Sequence, residues 1–380
     1  FEDPMGTDIQ YETIDNREHF LMQQAMFNSR RELHTPQRLD IADAKVFHPT
    51  PEQFEDPMAY ISSIYREASD RGICKIVPPD GWAPPDPFGF AKPMMRMPTK
   101  LQEVHRLGEG VGFDDGKDYT IAGYRAMAEA FSKDWAQRYG REPALEELEA
   151  DYWRIVRGEE EVTVEYANDL DTTRFWSGFP TPAERPGGSV RALSMGSQAF
   201  YSRSGWNLMN LPKAPGSLLT HVTESIAGVN HPWLYVGMLF ATFCWHCEDN
   251  NLPSINYHHA GAPKQWYGVP GFYAKAFAKA AESSNRLRFK ADADILHHMT
   301  LQLSPATLQD HNVPVYRLLQ EPGTFVVTFP KAFHGGFSYG FNCGEAVNFC
   351  TADWLPFGID ADEGYRNLRT RRPAVFSHVR

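Results

Sequence analysis

The chain has 380 residues, an ordinary apolar and aromatic content, and a formal charge of −11. That length suits two or three packed units, or one large domain with embellishments. The acidic balance argues against a general nucleic-acid binder and favours basic partners, and no apolar run reaches the ~18 residues of a membrane-crossing helix.

The N-terminus, Phe1-Glu2-Asp3-Pro4-Met5, has neither the basic start nor the apolar stretch of a signal peptide. It also lacks an initiator Met, as expected of a fragment or a processed chain. Residues 1–40 are polar and mixed in charge, and read as an extension that wraps the surface. The pentapeptide of residues 1–5 recurs at 54–58, which by itself is no repeat architecture.

A compact unit is expected over 41–90. Thr50 and Gln53 fit a capping box with Pro51 at the first helical position. Asp56-Pro57 restarts a helix with Met58, Ile61, Ile64, Tyr65 and Ala68 on one face, and Gly72 ends it. Ile73–Val77 is a short strand closed by Pro78-Pro79. This unit is too small to fold alone and should dock on something larger. Residues 80–100, rich in Pro and Met, read as a linker or an ordered loop. The stretch 91–160 is a helical linker region: over 119–157, Tyr124, Met127, Ala128, Phe131 and Trp135 are spaced for one helix face and read as core contacts. From Val162 strands dominate, interrupted by one helix near Phe272–Ser283, and many short strands punctuated by Gly and Pro suggest a jelly roll over 161–358. The tail, 359–380, is charged and helical in its first half.

Within the strand-rich part, His246-Cys247-Glu248 ends the alternating run Leu234–Trp245, which reads as one β-strand. Side chains two apart on a strand share a face, so both groups can reach one ion. His334 follows a second strand, Thr324–Phe329, with Gly335-Gly336 beyond it. Two imidazoles and a carboxylate on one face of a metal leave the other positions open, the usual setting of a non-haem Fe(II) oxygenase. Cys244 and Cys247, and likewise Cys343 and Cys350, have an odd separation that puts the thiols of each pair on opposite strand faces. No closed tetrahedral zinc set assembles from them, and five cysteines without a regular framework indicate a reducing compartment. His258 and His259 are rival ligands by position, but strand parity lets at most His258 point inward, and both read as packing or surface histidines.

The block Gly228–Leu355 resembles a JmjC domain, and Phe47–Pro79 resembles the JmjN segment that accompanies it. The resemblance rests on Gly228–Met238, Phe243–Asp249, Ser254–Tyr257 leading to Pro263–Pro270, Phe341–Phe349 and Asp353–Pro356. Within that superfamily the chain is most similar to the histone H3 lysine-4 demethylases that carry ARID and PHD modules. Val162–Tyr166 ahead of Ser177–Pro180, Ser204–Leu208, Trp233–Tyr235 and Pro373–His378 carry that similarity. The chain departs from those proteins in having no room for ARID and PHD modules between Pro79 and Tyr119, and it stops before a Cys/His-rich zinc region.

The resemblance implies a mainly β fold with helical embellishments: a double-stranded β-helix (jelly roll, cupin-like) JmjC core with a docked JmjN segment. It implies that His246, Glu248 and His334 bind Fe(II), and that Lys264 and Tyr166 hold the distal carboxylate of 2-oxoglutarate. Lys264 is expected on a strand paired with the one carrying Asn256, across the Ala260–Pro263 turn, and a buried lysine needs a partner charge. Asn256 is implied as a hydrogen-bond donor to this cosubstrate, with Phe243 and Trp266 walling the pocket. Tyr166 is followed by Ala-Asn-Asp where relatives have Gly-Ala-Asp. Gly228, Tyr235, Glu248 and Asn348 are implied near a methylammonium, where oxygen atoms and an aromatic face suit a cation.

With O₂, such a site hydroxylates an N-methyl group of methyllysine, which then leaves as formaldehyde. The expected partner is a methylated histone H3 tail in the nucleus, with no sequence-specific nucleic-acid contact and no membrane. Rival readings are a demethylase of lysine 9 or 36, a JmjC protein hydroxylase, a catalytically weak chromatin-binding protein, and a cupin of other chemistry.

Overall fold

The computed structural model describes residues 40–181, 195–292, 294–366 and 375. The expected N-terminal extension and most of the Pro373–His378 signature lie outside these residues. In chain order the strands are β1 (Ala42–Asp43), β2 (Lys45–Phe47), β3 (Ile73–Ile76), β4 (Arg96–Met97), β5 (Lys100–Glu103), β6 (Asp114–Asp115), β7 (Tyr119–Thr120) and β8 (Thr163–Asp171). They continue as β9 (Trp233–Gly237), β10 (Thr242–His246), β11 (Ser254–Gly261), β12 (Lys264–Val269), β13 (Tyr316–Gln320), β14 (Phe325–Thr328), β15 (Phe333–Ser338) and β16 (Asn342–Asn348). The helices are α1 (Pro57–Ala68), α2 (Ile121–Gln137), α3 (Leu145–Val156), α4 (Met195–Arg203), α5 (Ala274–Ser284), α6 (Arg286–Ala291), α7 (Pro305–Asp310) and α8 (Leu355–Arg366).

The last eight strands divide between two sheets. One runs β13-β12-β15-β10 and the other β14-β11-β16-β9, so the chain alternates between sheets at most of its connections. That is the jelly-roll arrangement expected from the sequence. The nine-stranded sheet continues past β9 through β8, β5 and β6.

Two expectations about register are overturned. The run Leu234–Trp245 is two strands rather than one. It breaks at Met238–Ala241, with Phe240 at φ +66°, and its halves lie in opposite sheets. Periodicity missed the break because Met238, Leu239, Phe240 and Ala241 are all buried, so an apolar run continues straight through the turn. Likewise β11 and β12 do not form a hairpin: β11 pairs with β14 and β16, and β12 with β13 and β15. The Gly261 turn carries the chain across the core instead of back along it. A Cβ there would lie 2.2 Å from Phe341 O, and φ is +98°, so this crossing requires glycine.

The compact unit docks as its size demands. The reciprocal bonds Thr50 N to Gln53 Oε1 (2.9 Å) and Gln53 N to Thr50 Oγ1 (3.3 Å) form the expected capping box. Asp56 caps α1, accepting from Ala59 N, and Met58, Ile61, Ile64 and Ala68 are buried along it. After Gly72, at φ +77°, β3 adds to β14 and β2 adds to β3, while β1 adds to β13 in the other sheet. Trp206 seals the joint. Its ring stacks on Phe54 at 4.2 Å and its indole N–H donates to Phe54 O at 2.6 Å. Truncating Trp206 to alanine should cost about 3–5 kcal/mol of unfolding free energy. Chemical denaturation checks this, and a loss below about 1 kcal/mol would mean the joint closes without it.

Residues 80–91 form an ordered loop, with Trp82 against Phe54, Tyr257 and Phe325. The helical stretch is two helices, α2 and α3, broken over 138–144, with Tyr124, Ala128 and Trp135 buried. The single helix expected among the strands is joined by α4, α6 and α7. α8 starts at Leu355 and covers the first part of the tail. Among the described residues, no helix is long and apolar enough to cross a membrane.

Candidate metal centre and its cavity

His246 and His334 occupy directly opposed positions on the antiparallel pair β10 and β15. Opposed side chains on one face are the closest cross-strand neighbours, and the two rings lie 4.2 Å apart, centroid to centroid. Glu248 lies just beyond the end of β10, capping the turn Asp249–Asn251, rather than on the strand itself. His334 is on its own strand, β15, reached by a turn after β14. A bulge between Phe243 and His246 changes the register of β10, and the chain beyond it returns Glu248 to the same place. The ligand atoms of His246, Glu248 and His334 all lie within 4.8 Å of one another, with Glu248 Oε1 3.3 Å from His334 Nε2.

The surroundings prepare these groups to act as ligands. His246 Nδ1 is 2.7 Å from Cys244 O, and His334 Nδ1 is 3.1 Å from Ala332 O. A carbonyl only accepts, so each Nδ1 carries a proton and donates, which orients each ring for ligation through Nε2. Burial, reinforced by the neighbouring His334, lowers His246 to about 4, so it is neutral at physiological pH. Burial pushes the Glu248 carboxyl up, but the hydrogen bond and charge of His334, then His246 and Asn348, outweigh it and hold Glu248 near 2. Asn348 Nδ2 donates to Glu248 Oε2 at 3.0 Å, orienting the carboxylate. Two imidazoles and an ionised carboxylate on one side of a cavity fit a metal with open positions.

The cavity is about 500 Å³ and lies between the two sheets. It brings together the residues that the resemblance implies for the site: the three metal candidates, Tyr166, Phe243, Asn256, Lys264 and Trp266, and Gly228, Tyr235 and Asn348. Lys264 is 5% exposed; its ammonium donates to Ser338 Oγ at 3.1 Å and to Tyr166 Oη at 3.4 Å. Burial lowers it to about 7. Among the described residues no carboxylate pairs with it, so an anionic ligand group fits here. Phe243 and Trp266 meet at 4.6 Å, and the Trp266 indole is tied to Gln320 Oε1 at 2.8 Å. Asn256 projects from β11 on the opposite wall. Gly228, at φ +81°, accepts from Asn348 N at 3.2 Å, which places it beside the Asn348 and Glu248 pair.

Three contributors escaped the sequence reading. Ser338 is the cross-strand partner of Lys264 on β15, and only the register of β12 reveals it. Gln102 clamps the metal-bearing strand by accepting from Thr242 N and donating to Thr242 O, both at 2.8 Å. Asp169, at φ +55° in a bulge of β8, bonds the Tyr235 hydroxyl at the cavity wall. No sequence signal marks that bulge.

Neither rival histidine joins the metal cluster. His259 donates through Nε2 to Glu345 Oε2 at 3.1 Å, and His258 is fully buried. Cys74, Cys244, Cys343 and Cys350 are buried free thiols, and burial raises all four and Cys247 as well.

Comparison with known proteins agrees with this architecture. The JmjC domain, described as a hydroxylase, matches residues 233–349, and the jmjN domain matches residues 45–78. The chain is a JmjN/JmjC-domain protein. It is 38% identical over 381 residues to Lysine-specific demethylase JMJ703 of Oryza sativa subsp. japonica, covering 88% of this chain and 30% of that one. It is 45% identical over 272 residues to Lysine-specific demethylase JMJ17 of Arabidopsis thaliana, covering 71% and 22%. With Lysine-specific demethylase 5B of Gallus gallus it shares 45% identity over 280 residues, covering 73% and 18%. The chain thus spans less than a third of the length of these curated relatives.

Proposed function

We propose that this chain is the catalytic portion of a nuclear Fe(II)- and 2-oxoglutarate-dependent histone lysine demethylase, acting on di- and trimethylated lysine 4 of histone H3. The observation that carries the chemistry is the pairing, in one cavity, of a three-ligand metal face with a buried lysine that has no acidic partner among the described residues. A ferrous ion with 2-oxoglutarate and O₂ supplies oxidation of an N-methyl C–H bond, with 2-oxoglutarate leaving as succinate and CO₂.

The residues of the chain supply position and exclusion. His246, Glu248 and His334 hold the ion from one side and leave the cavity side open. Lys264 and Tyr166 take the distal carboxylate, Asn256 donates to the cosubstrate, and Phe243 with Trp266 keeps water from that end. Tyr235, Gly228, Asn348 and Glu248 surround the methylammonium with an aromatic face and oxygen atoms, which favours a cation and holds one methyl group toward the metal. The hydroxymethyl amine then releases formaldehyde. C–H oxidation needs no nitrogen lone pair, so trimethyllysine is a permitted substrate.

Lysine 4 rests on the sequence resemblance around Trp206 and Trp233, and the acidic cavity wall of Glu248, Asp249 and Asp169 suits any basic tail equally. Histone H3 peptides trimethylated at lysines 4, 9, 27 and 36, competing in one reaction, test it by mass spectrometry. Fastest loss from lysine 4 is expected. Faster loss from lysine 9 or 36 overturns the site choice and leaves the chemistry standing, and loss from none points to a binding protein.

A further inference from the structure

One buried titratable group takes no part in the chemistry assigned above. His258 lies on β11 two residues beyond Asn256 and is fully buried. Its Nε2 is 2.9 Å from Ala262 O. Since a carbonyl only accepts, Nε2 carries the proton and Nδ1 presents a bare lone pair. Nδ1 is buried and has no hydrogen-bond partner among the described residues. A buried polar atom left without a partner calls for an explanation, and a ligand is one.

The surroundings of Nδ1 point to the anionic end of the cavity. Its cross-strand neighbour is Gly344, which lines the cavity. A Cβ on Gly344 would sit 3.7 Å from Lys264 Cε and 3.9 Å from His258 Nδ1. The space that this glycine leaves open is therefore bordered by both residues. Among the described residues Lys264 meets only hydroxyl acceptors there, Ser338 and Tyr166. A cation without a carboxylate partner and an imidazole nitrogen without a hydrogen-bond partner among the described residues thus both border Gly344.

The titratable groups around His258 come from three other strands. Lys264 faces it from β12, Cys343 and Glu345 stand on β16, and Tyr166 reaches Lys264 from β8. His259, beside it on β11, is engaged with Glu345. Burial raises the Cys343 thiol and the Tyr166 phenol, so neither is ionised at neutral pH. Burial first, and then the Lys264 charge, hold His258 down to about 3, neutral while no anion is near.

We propose that His258 is a further anchor for the distal carboxylate of 2-oxoglutarate, beside Lys264 and Tyr166, taking up a proton at Nδ1 as the carboxylate arrives. The inference rests on the cosubstrate reading above. The proton comes from solvent. An Nδ1–H bond forms, no bond in the ligand breaks, and the imidazolium then donates through Nε2 to Ala262 O and through Nδ1 to the carboxylate that Lys264 and Tyr166 also hold. Cosubstrate affinity is thereby linked to pH at a position separate from the metal ligands.

The test is calorimetric titration of 2-oxoglutarate into protein loaded with Zn(II), which does not turn over, in buffers of different ionisation enthalpy. Lys264 also takes up protons on binding, so the comparison is between wild type and His258→Leu. Wild type is expected to absorb close to one proton more per ligand than the variant at about pH 6.5. It should also bind about tenfold more tightly there, with the gap narrowing as pH rises. Equal proton uptake in the two proteins overturns the inference. His258→Asn, which keeps a polar side chain, should match the leucine variant in proton count and guards against a folding defect. In wild type alone, the ¹⁵N resonance of His258 Nδ1 should move from its bare to its protonated position on adding 2-oxoglutarate. A resonance that stays put overturns the proposal while leaving 2-oxoglutarate as the cosubstrate. Failure of wild type to bind 2-oxoglutarate at all overturns both.

Discussion

A His246→Ala variant is expected to release no formaldehyde above background from methylated peptide and to bind Fe(II) far more weakly than wild type. Outer-shell partners of metal sites are each worth roughly 10–100-fold in affinity, and a first ligand is worth more. The fold should survive, because His246 ends β10 and its ring bonds only to the carbonyl two residues back, at Cys244. Its removal also relieves the crowding of two imidazoles at one point. Metal affinity by competition with a chromogenic chelator, together with a metal-free melting curve, checks both halves. Turnover at the wild-type rate without added imidazole would sink the assignment of His246 as a ligand.

The second large effect is expected at Lys264. Replacing it by alanine leaves the distal carboxylate of 2-oxoglutarate buried without its cation, at a cost of about 3–5 kcal/mol. That corresponds to a rise of roughly two to four orders of magnitude in the 2-oxoglutarate requirement. Fe(II) affinity should change little, since the ammonium bonds only to Ser338 and Tyr166. An unchanged KM for 2-oxoglutarate would make Lys264 structural.

The wild-type lysine also sets a pH dependence. Burial lowers it from 10.5 to about 7, and only the ammonium attracts a carboxylate, so this part of the binding is present below about 7 and declines above it until the bound form also titrates. Ligand-free stability runs the other way. The unfolded lysine keeps its proton up to 10.5 while the folded one has released it, so the folded state gains stability as pH rises from about 7 toward 10.5.

Side-chain chemistry was more legible in the sequence than connectivity. His-x-Glu and a distant His, a lysine among apolar neighbours and a capping box are each local patterns with a physical meaning, and the structure gathers the first two into one cavity. What periodicity could not show was which sheet a strand joins. In a jelly roll both halves of Leu234–Trp245 are buried, so the crossing at Phe240 leaves no polar mark. The same blindness turned β11 and β12 into a hairpin, because a tight Gly261 turn looks alike whether the chain returns or crosses. Ser338, Gln102 and Asp169 were missed for a related reason. Each acts through a register or a bulge, and neither can be read from one strand at a time.

The N-terminal strands also bear on the order of events during synthesis. Only Ala44 separates β1, which joins one sheet, from β2, which joins the other through β3. Their anchors are made much later: Lys75 donates to Leu319 O, 244 residues further along. On the ribosome, therefore, Ile73–Ile76 emerges as an edge whose partner β14 is not yet made, and Met58, Ile61 and Ile64 of α1 wait for a core that Trp206 and Ile255 begin and Phe325 and Val327 of β14 extend. Long-range pairing of this kind is slow and exposes apolar surface meanwhile. The segment that closes the finished domain is thus the one most in need of chaperoning while the rest of the chain is made.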